Sequence, residues 1–148
     1  MEAYKVISPG QRAELRAALG KAEMRTSGEI RLLIEDHAED GPLDRAAFLF
    51  LELGMDKTEQ RNGVLIYVAF ADRKFSILGD KGLHEKVGAE FWDEIKEKML
   101  QQFREGNIVA ALLEAIHASG EALSTHFPYT KGDKNELSDD IIFGDGKQ

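Results

Sequence analysis

In 148 residues the chain carries 19 Lys and Arg against 27 Asp and Glu, a net charge of −8, with 43% hydrophobic residues and no cysteine. That content suits one domain with a core of its own, and the acidic excess weighs against a nucleic-acid backbone or an anionic membrane as the main partner. Disulfides, thiolate metal sites and cysteine nucleophiles are excluded, and with no apolar run of membrane-spanning length and no export-signal core at the N-terminus the chain reads as cytoplasmic.

Ser8-Pro9-Gly10-Gln11 has the spacing of a capping box, and Leu15, Leu19 and Ala22 follow at helical intervals, so a first amphipathic helix is predicted from Ser8 to about Arg25. Thr26-Ser27-Gly28 breaks it. Glu29 to Glu35 then sets Ile30, Leu32 and Ile34 on one side and Glu29, Arg31 and Glu35 on the other, which predicts a strand with one face buried and the other partly open. Pro42-Leu43-Asp44 starts a second helix whose run Ala46 to Leu53 calls for burial over most of its circumference; Gly54 ends it.

Val64 to Phe70 is a run of apolar residues, too short for a membrane span and rich in β-branched and aromatic types, and predicts a strand covered on both faces. Strand, helix and strand in this order make a parallel, right-handed βαβ unit. Ala71-Asp72-Arg73-Lys74 turns the chain into an antiparallel strand, Phe75 to Leu78, and Gly79-Asp80-Lys81-Gly82 leads into a third helix with Val87, Phe91, Ile95, Met99 and Phe103 four apart. Phe91, Trp92, Met99 and Phe103 read as core at this spacing, and of these Trp92, beside the row, is the one that could flank a groove or a partner surface. A fourth helix runs from the cap Asn107 to near Phe127-Pro128. The expected fold is a three-layer α/β/α sandwich, Rossmann-like, over residues 1–128, with a small mixed sheet of parallel βαβ unit and antiparallel hairpin. Residues 129–148 lack periodicity and read as an acidic, mobile tail, in which Leu137 and Ile141-Ile142-Phe143 either dock on a partner or fold back over the sheet edge.

Glu35, Asp36, Glu39, Asp40 and Asp44 bring carboxylates without Lys or Arg between them, directly after the carboxyl end of the first strand, where open α/β sheets bind ligands. The parallel register puts Asp72 on that same edge, and carboxylates from two neighbouring loops supply the oxygen ligands a hard cation needs. Asp80 is a second candidate at the opposite edge, beside Arg61, Asn62 and Glu29, with a structural role as helix cap or Arg61 partner as its plainer reading. His37 lies within the acidic run. The other histidines, His84, His117 and His126, show no i, i+4 zinc pairing, no G-x-S-x-G places a serine in a nucleophile elbow, and no G-x-G-x-x-G or Walker pattern cradles a phosphate.

The pieces Thr26-Ser27-Gly28-Glu29-Ile30, Arg61-Asn62-Gly63-Val64-Leu65, Asp72-Arg73-Lys74, Gly79-Asp80-Lys81-Gly82-Leu83, Phe91-Trp92, Phe103-Arg104-Glu105-Gly106 and Asn135-Glu136-Leu137-Ser138-Asp139 together resemble the TPM domain. This family takes its name from a thylakoid lumen protein, a photosystem II repair protein and a nematode receptor-associated protein, and the resemblance is closest to its small soluble bacterial branch. It implies a sheet between helices and a divalent cation, usually calcium and possibly magnesium, in a groove at the sheet edge. The expected metal ligands are Glu35, Asp36, Asp72 and Asp80. The resemblance further implies a role in the assembly or maintenance of a protein partner, without catalysis; an acid phosphatase, as attributed to a plant member, and a purely structural interaction module are the alternatives.

Overall fold

The structure, a computed structural model, describes residues 2–130 and 141–144. The expected carboxylate and apolar positions of the tail between 131 and 140, Leu137 included, lie outside the described residues. The elements are α1 (Glu2–Val6), α2 (Pro9–Glu23), β1 (Glu29–Glu35), α3 (Pro42–Glu52), a 3-10 turn (Met55–Lys57), β2 (Gly63–Ala69), β3 (Lys74–Gly79), α4 (Lys81–Arg104), α5 (Ile108–His126) and β4 (Ile142–Phe143).

The strands form one mixed sheet in the order β3-β2-β1-β4. β1 and β2 are parallel, with Glu29 opposite Gly63 and Glu35 opposite Ala69, and β3 runs antiparallel to β2. This is the α/β sandwich expected, because seven consecutive buried residues in β2 demand cover on both faces. On one face α2, α4 and α5 bury Leu15, Leu19, Ile95, Met99, Leu112 and Ile116 against Ile30, Leu32, Val64 and Ile66. On the other, α3 and the 3-10 turn bring Ala46, Phe50 and Met55 onto Leu33, Leu65 and Tyr67.

Ser8 caps α2 through the reciprocal box, its Oγ accepting from Gln11 N–H while the Gln11 side chain accepts from Ser8 N–H. Three expectations need correction. β1 is buried along its whole length, not open on the Glu29, Arg31, Glu35 side. α3, in contrast, is covered on one side only: Ala46 and Phe50 are buried while Leu43, Phe48 and Leu51 stand more than half exposed, because among the described residues no second long helix lies beside α3 on its face of the sheet. The even four-residue row in α4 is broken by Gly88 (φ 78°), which rotates the helix so that Trp92 joins Ile95 and Met99 in the core while Phe91 packs edge-on against the indole at 5.0 Å.

The chain's end is the other departure. Ile142–Phe143 pairs in parallel with Leu33 and Ile34, Gly144 N–H donates to the Ile34 carbonyl, and Ile141 and Phe143 are buried. At residues 141–144 the mobile tail is therefore replaced by the fold-back alternative. Phe143 packs edge-on against Tyr4, ring centroids 4.9 Å apart, and the burial of Ile141 and Phe143 together with the pairing to β1 offsets the entropy of fixing so short a strand.

Candidate functional site

The carboxyl ends of β1 and β2 lie side by side, and backbone bonds tie the two following loops together: the Asp36 carbonyl accepts from Ala71 N–H at 2.9 Å and Asp72 N–H at 3.2 Å. This brings Asp36 and Asp72 into one group with His37. Asp36 Oδ1 accepts from the Glu2 N–H at the start of α1, 3.2 Å away. Asp72 Oδ1 lies 2.7 Å from His37 Nδ1, and its Oδ2 accepts from Ala38 N–H at 2.8 Å.

His37 and Asp72 shift each other's titration. His37 is held above its ordinary value of 6.5, by the hydrogen bond to Asp72 first and its charge second, and Asp72 is held below 3.8, by His37 first and the Ala38 N–H next. The pair's contribution to stability is complete only between pH 3.8 and 6.5. It is lost below that window as Asp72 takes up a proton through its lowered value, and above it as His37 releases one through its raised value. Asp72→Asn is expected to bring the His37 ring-proton titration midpoint down measurably; an unmoved midpoint would show that the contact does not persist in solution.

Glu35, the third expected ligand at this end, is taken up by protein. Arg45 grips it through Nε to Oε2 at 2.7 Å and Nη2 to Oε1 at 2.9 Å, and the buried Tyr67 hydroxyl donates to Oε2 at 2.5 Å. Burial alone would raise the Glu35 pKa; the bonds from Arg45 and Tyr67 outweigh it and hold the carboxyl below its usual range. Burial, with the Glu35 carboxylate, also pushes the Tyr67 phenol far up, so the hydroxyl stays a donor. A metal would have to break this bidentate pair to reach Glu35.

Asp80 sits at the opposite end of the sheet. Its carboxylate accepts from Arg61 Nε at 2.6 Å and Nη2 at 2.8 Å, and from the Lys81 N–H as N-cap of α4. It therefore both caps the helix and pairs with Arg61, and its side chain is 6% exposed. Among the described residues no three His, Asp or Glu side chains are arranged to hold a metal. The four expected ligands thus separate into two that share a loop pair, Asp36 and Asp72, and two that are bonded elsewhere. Each Asp72 oxygen keeps a lone pair beyond its hydrogen bond. Two carboxylates on one loop pair fall short of the six to eight oxygens of a closed calcium cage.

The same end carries a feature sequence reading does not find. A cavity of about 500 Å³ opens between α1, the end of β2, α4 and the start of α5, with Val68, Phe70, Leu100, Phe103 and Ile108 in its wall. Arg73, Lys74 and Arg104, all exposed, also line it, with Glu2 the one acidic residue of the lining. Only the Phe103-Arg104 pair at a helix end, and basic residues in the turn after β2, hint at it in the sequence.

A mixed sheet between helices, with polar loops gathered at both ends of its parallel pair, defines an α/β sandwich domain. The chain belongs to the TPM domain family, whose pattern matches residues 2–122. Over 93% of its length it is similar to the BA42 protein of the psychrophilic bacterium Bizionia argentinensis, at 40% identity with a TM-score of 0.85 and 95% of that chain covered. Two N-terminal domains share the fold. One, from the cg2496 protein of Corynebacterium glutamicum, has a TM-score of 0.65 at 13% identity, with 81% of this chain and 76% of that one covered. The other, from a Porphyromonas gingivalis (P.gingivalis) protein, reaches 0.67 at 22%, with 83% and 82% covered. No curated protein matches the chain.

Proposed function

We propose that this TPM domain acts by binding and not by catalysis: a divalent cation, calcium in preference to magnesium, is taken up at Asp36 and Asp72, and the loaded edge serves in the assembly or maintenance of a protein partner. The observation that supports this is the backbone tie between the two loops, which holds two carboxylates from separate strands at the carboxyl edge of a parallel pair. An overall charge of −8 favours a cation there. Calcium suits loop carboxylates with water, since magnesium demands a tighter octahedron.

Calcium titration followed by amide NMR is expected to shift residues 35–44 and the surroundings of Asp72. Asp36→Asn with Asp72→Asn should weaken binding at least about tenfold, each lost charge removing on the order of 1 kcal/mol at a partly exposed site. Unchanged affinity in the double variant would rule the site out.

One observation favours a second reading, a metal-assisted phosphatase: Arg73 and Lys74 follow Asp72 directly and supply anion contacts next to the cation. Calcium-dependent hydrolysis of p-nitrophenyl phosphate, lost in the same double variant, would transfer the proposal to this reading.

A further inference from the structure

The cavity beside the cation edge combines two chemistries that a structural gap does not need. Its wall is apolar. Phe103 is fixed by an edge-on contact with Phe75, ring centroids 5.0 Å apart, while Val6 and Leu100, on the lip, remain 57% and 40% exposed. A single exposed apolar side chain is ordinary, but two on the rim of one concave apolar space mark a surface that something apolar covers.

The lining is also basic. In a chain of net charge −8, the cavity lining holds Arg73, Lys74 and Arg104 against one carboxylate, Glu2, an excess of two positive charges within the lining. Neither Arg73 nor Arg104 forms an ion pair among the described residues. Arg73 moreover holds a left-handed backbone, φ 57°, where glycine or asparagine would be the unstrained choice. The turn after β2 thus carries strain while placing Arg73 in the cavity lining.

An inorganic anion would not use the apolar wall, and a neutral hydrophobe would not use the basic rim. We propose that the cavity binds an amphipathic anion of the fatty-acid type, its aliphatic chain against Phe70, Leu100, Phe103 and Ile108 and its carboxylate between Arg73, Lys74 and Arg104. The volume, about 500 Å³, falls within the roughly 300–1,000 Å³ of small-molecule sites. Arginine forks match a carboxylate bidentately, which selects a headgroup and not merely a charge. The proposal stands apart from cation binding, because none of its contacts passes through Asp36 or Asp72.

The test uses the full chain in EDTA, so that its outcome does not depend on calcium. The fluorescent probe 1-anilinonaphthalene-8-sulfonate is bound first and displaced with decanoate or with 1-decanol, the same chain without the charge. Decanoate is expected to displace the probe at a concentration at least tenfold lower than decanol and to shift the amides of Phe70, Leu100, Phe103 and Ile108. The exposed triple substitution Arg73→Gln, Lys74→Gln, Arg104→Gln should weaken decanoate at least tenfold and leave decanol unchanged, and Leu100→Glu should abolish decanoate binding, both with unaltered thermal melts. Equal displacement by the two ligands, an unaffected triple variant, or shifts confined to Leu43, Phe48 and Leu51 on α3 would each overturn the proposal.

Discussion

Asp80→Ala is expected to lower the melting temperature by on the order of 5–10 °C, more than any single change at the acidic edge. The carboxylate makes two charge-assisted bonds to Arg61 and caps α4, and its side chain is 6% exposed. A lost cap costs about 1 kcal/mol, and a lost charged hydrogen-bond pair adds about 1.5–2 kcal/mol, discounted because Arg61 reaches solvent. For a domain of this size each kcal/mol moves the midpoint roughly 2–4 °C. Asp80→Asn separates the two roles, since asparagine caps as well as aspartate but carries no charge for Arg61, and should fall between Asp80→Ala and the native protein. Arg61 has a left-handed backbone, φ 52°, so Arg61→Gly should melt higher than Arg61→Ala although both lose the pair. Equal melting of Asp80→Ala and the native chain, by calorimetry, would mean the pair stabilises nothing.

Gly82→Ala should be the most damaging methyl addition among the described glycines. A Cβ there would stand 2.2 Å from the Gln60 carbonyl oxygen and 2.7 Å from that of Arg61, both backbone atoms that cannot swing aside. The first turn of α4 and the loop before β2 would have to part, breaking the bonds from Gly82 N–H and Leu83 N–H to the Arg61 carbonyl. The expected cost is about 3 kcal/mol or more, roughly 10 °C, at the upper end for overpacking. Gly79→Ala provides the contrast. Its Cβ would meet the Trp92 ring at 2.2 Å, a side chain, and Trp92→Phe withdraws the ring atoms in the way and also removes a buried indole N–H with no partner among the described residues. The double change should therefore recover part of the loss. Should Gly82→Ala melt like the native protein, the packing of α4 on the Thr58–Asn62 loop is looser than the structure has it.

The sheet was legible because its signals are local. The length and the β-branched and aromatic content of Val64 to Phe70 point to a doubly covered strand, realised as Gly63–Ala69, and the Ser8 to Gln11 box writes the start of α2 into four residues. Where the reading failed, the decisive partner was distant or the element too short for periodicity. α1 has five residues, and β4 has two, defined only by its pairing with Leu33 and Ile34. Composition saw that Ala46 to Leu53 is apolar but not that a single helix would lie outside it, leaving Leu43, Phe48 and Leu51 uncovered. Of the site, the sequence showed which carboxylates reach the edge of the sheet. It did not show which were already engaged: Glu35 opens a run free of basic residues, yet Arg45, the residue just past that run, turns back from α3 to hold it. The basic-rimmed cavity was invisible because its residues come from four separate segments.

The placement of β4 has a consequence in time. β1 offers its outer backbone groups to whatever strand arrives, and the carboxyl half of that edge is closed by residues translated after everything else in the sheet. At ribosomal rates of about 5–20 residues per second, the interval between completing β1 and releasing Phe143 is roughly 5–20 s. Throughout it a nascent chain presents a parallel edge to its neighbours on the same messenger, the condition under which strands are exchanged between copies. The pairing of Ile142–Phe143 closes that half of the edge from within the same chain.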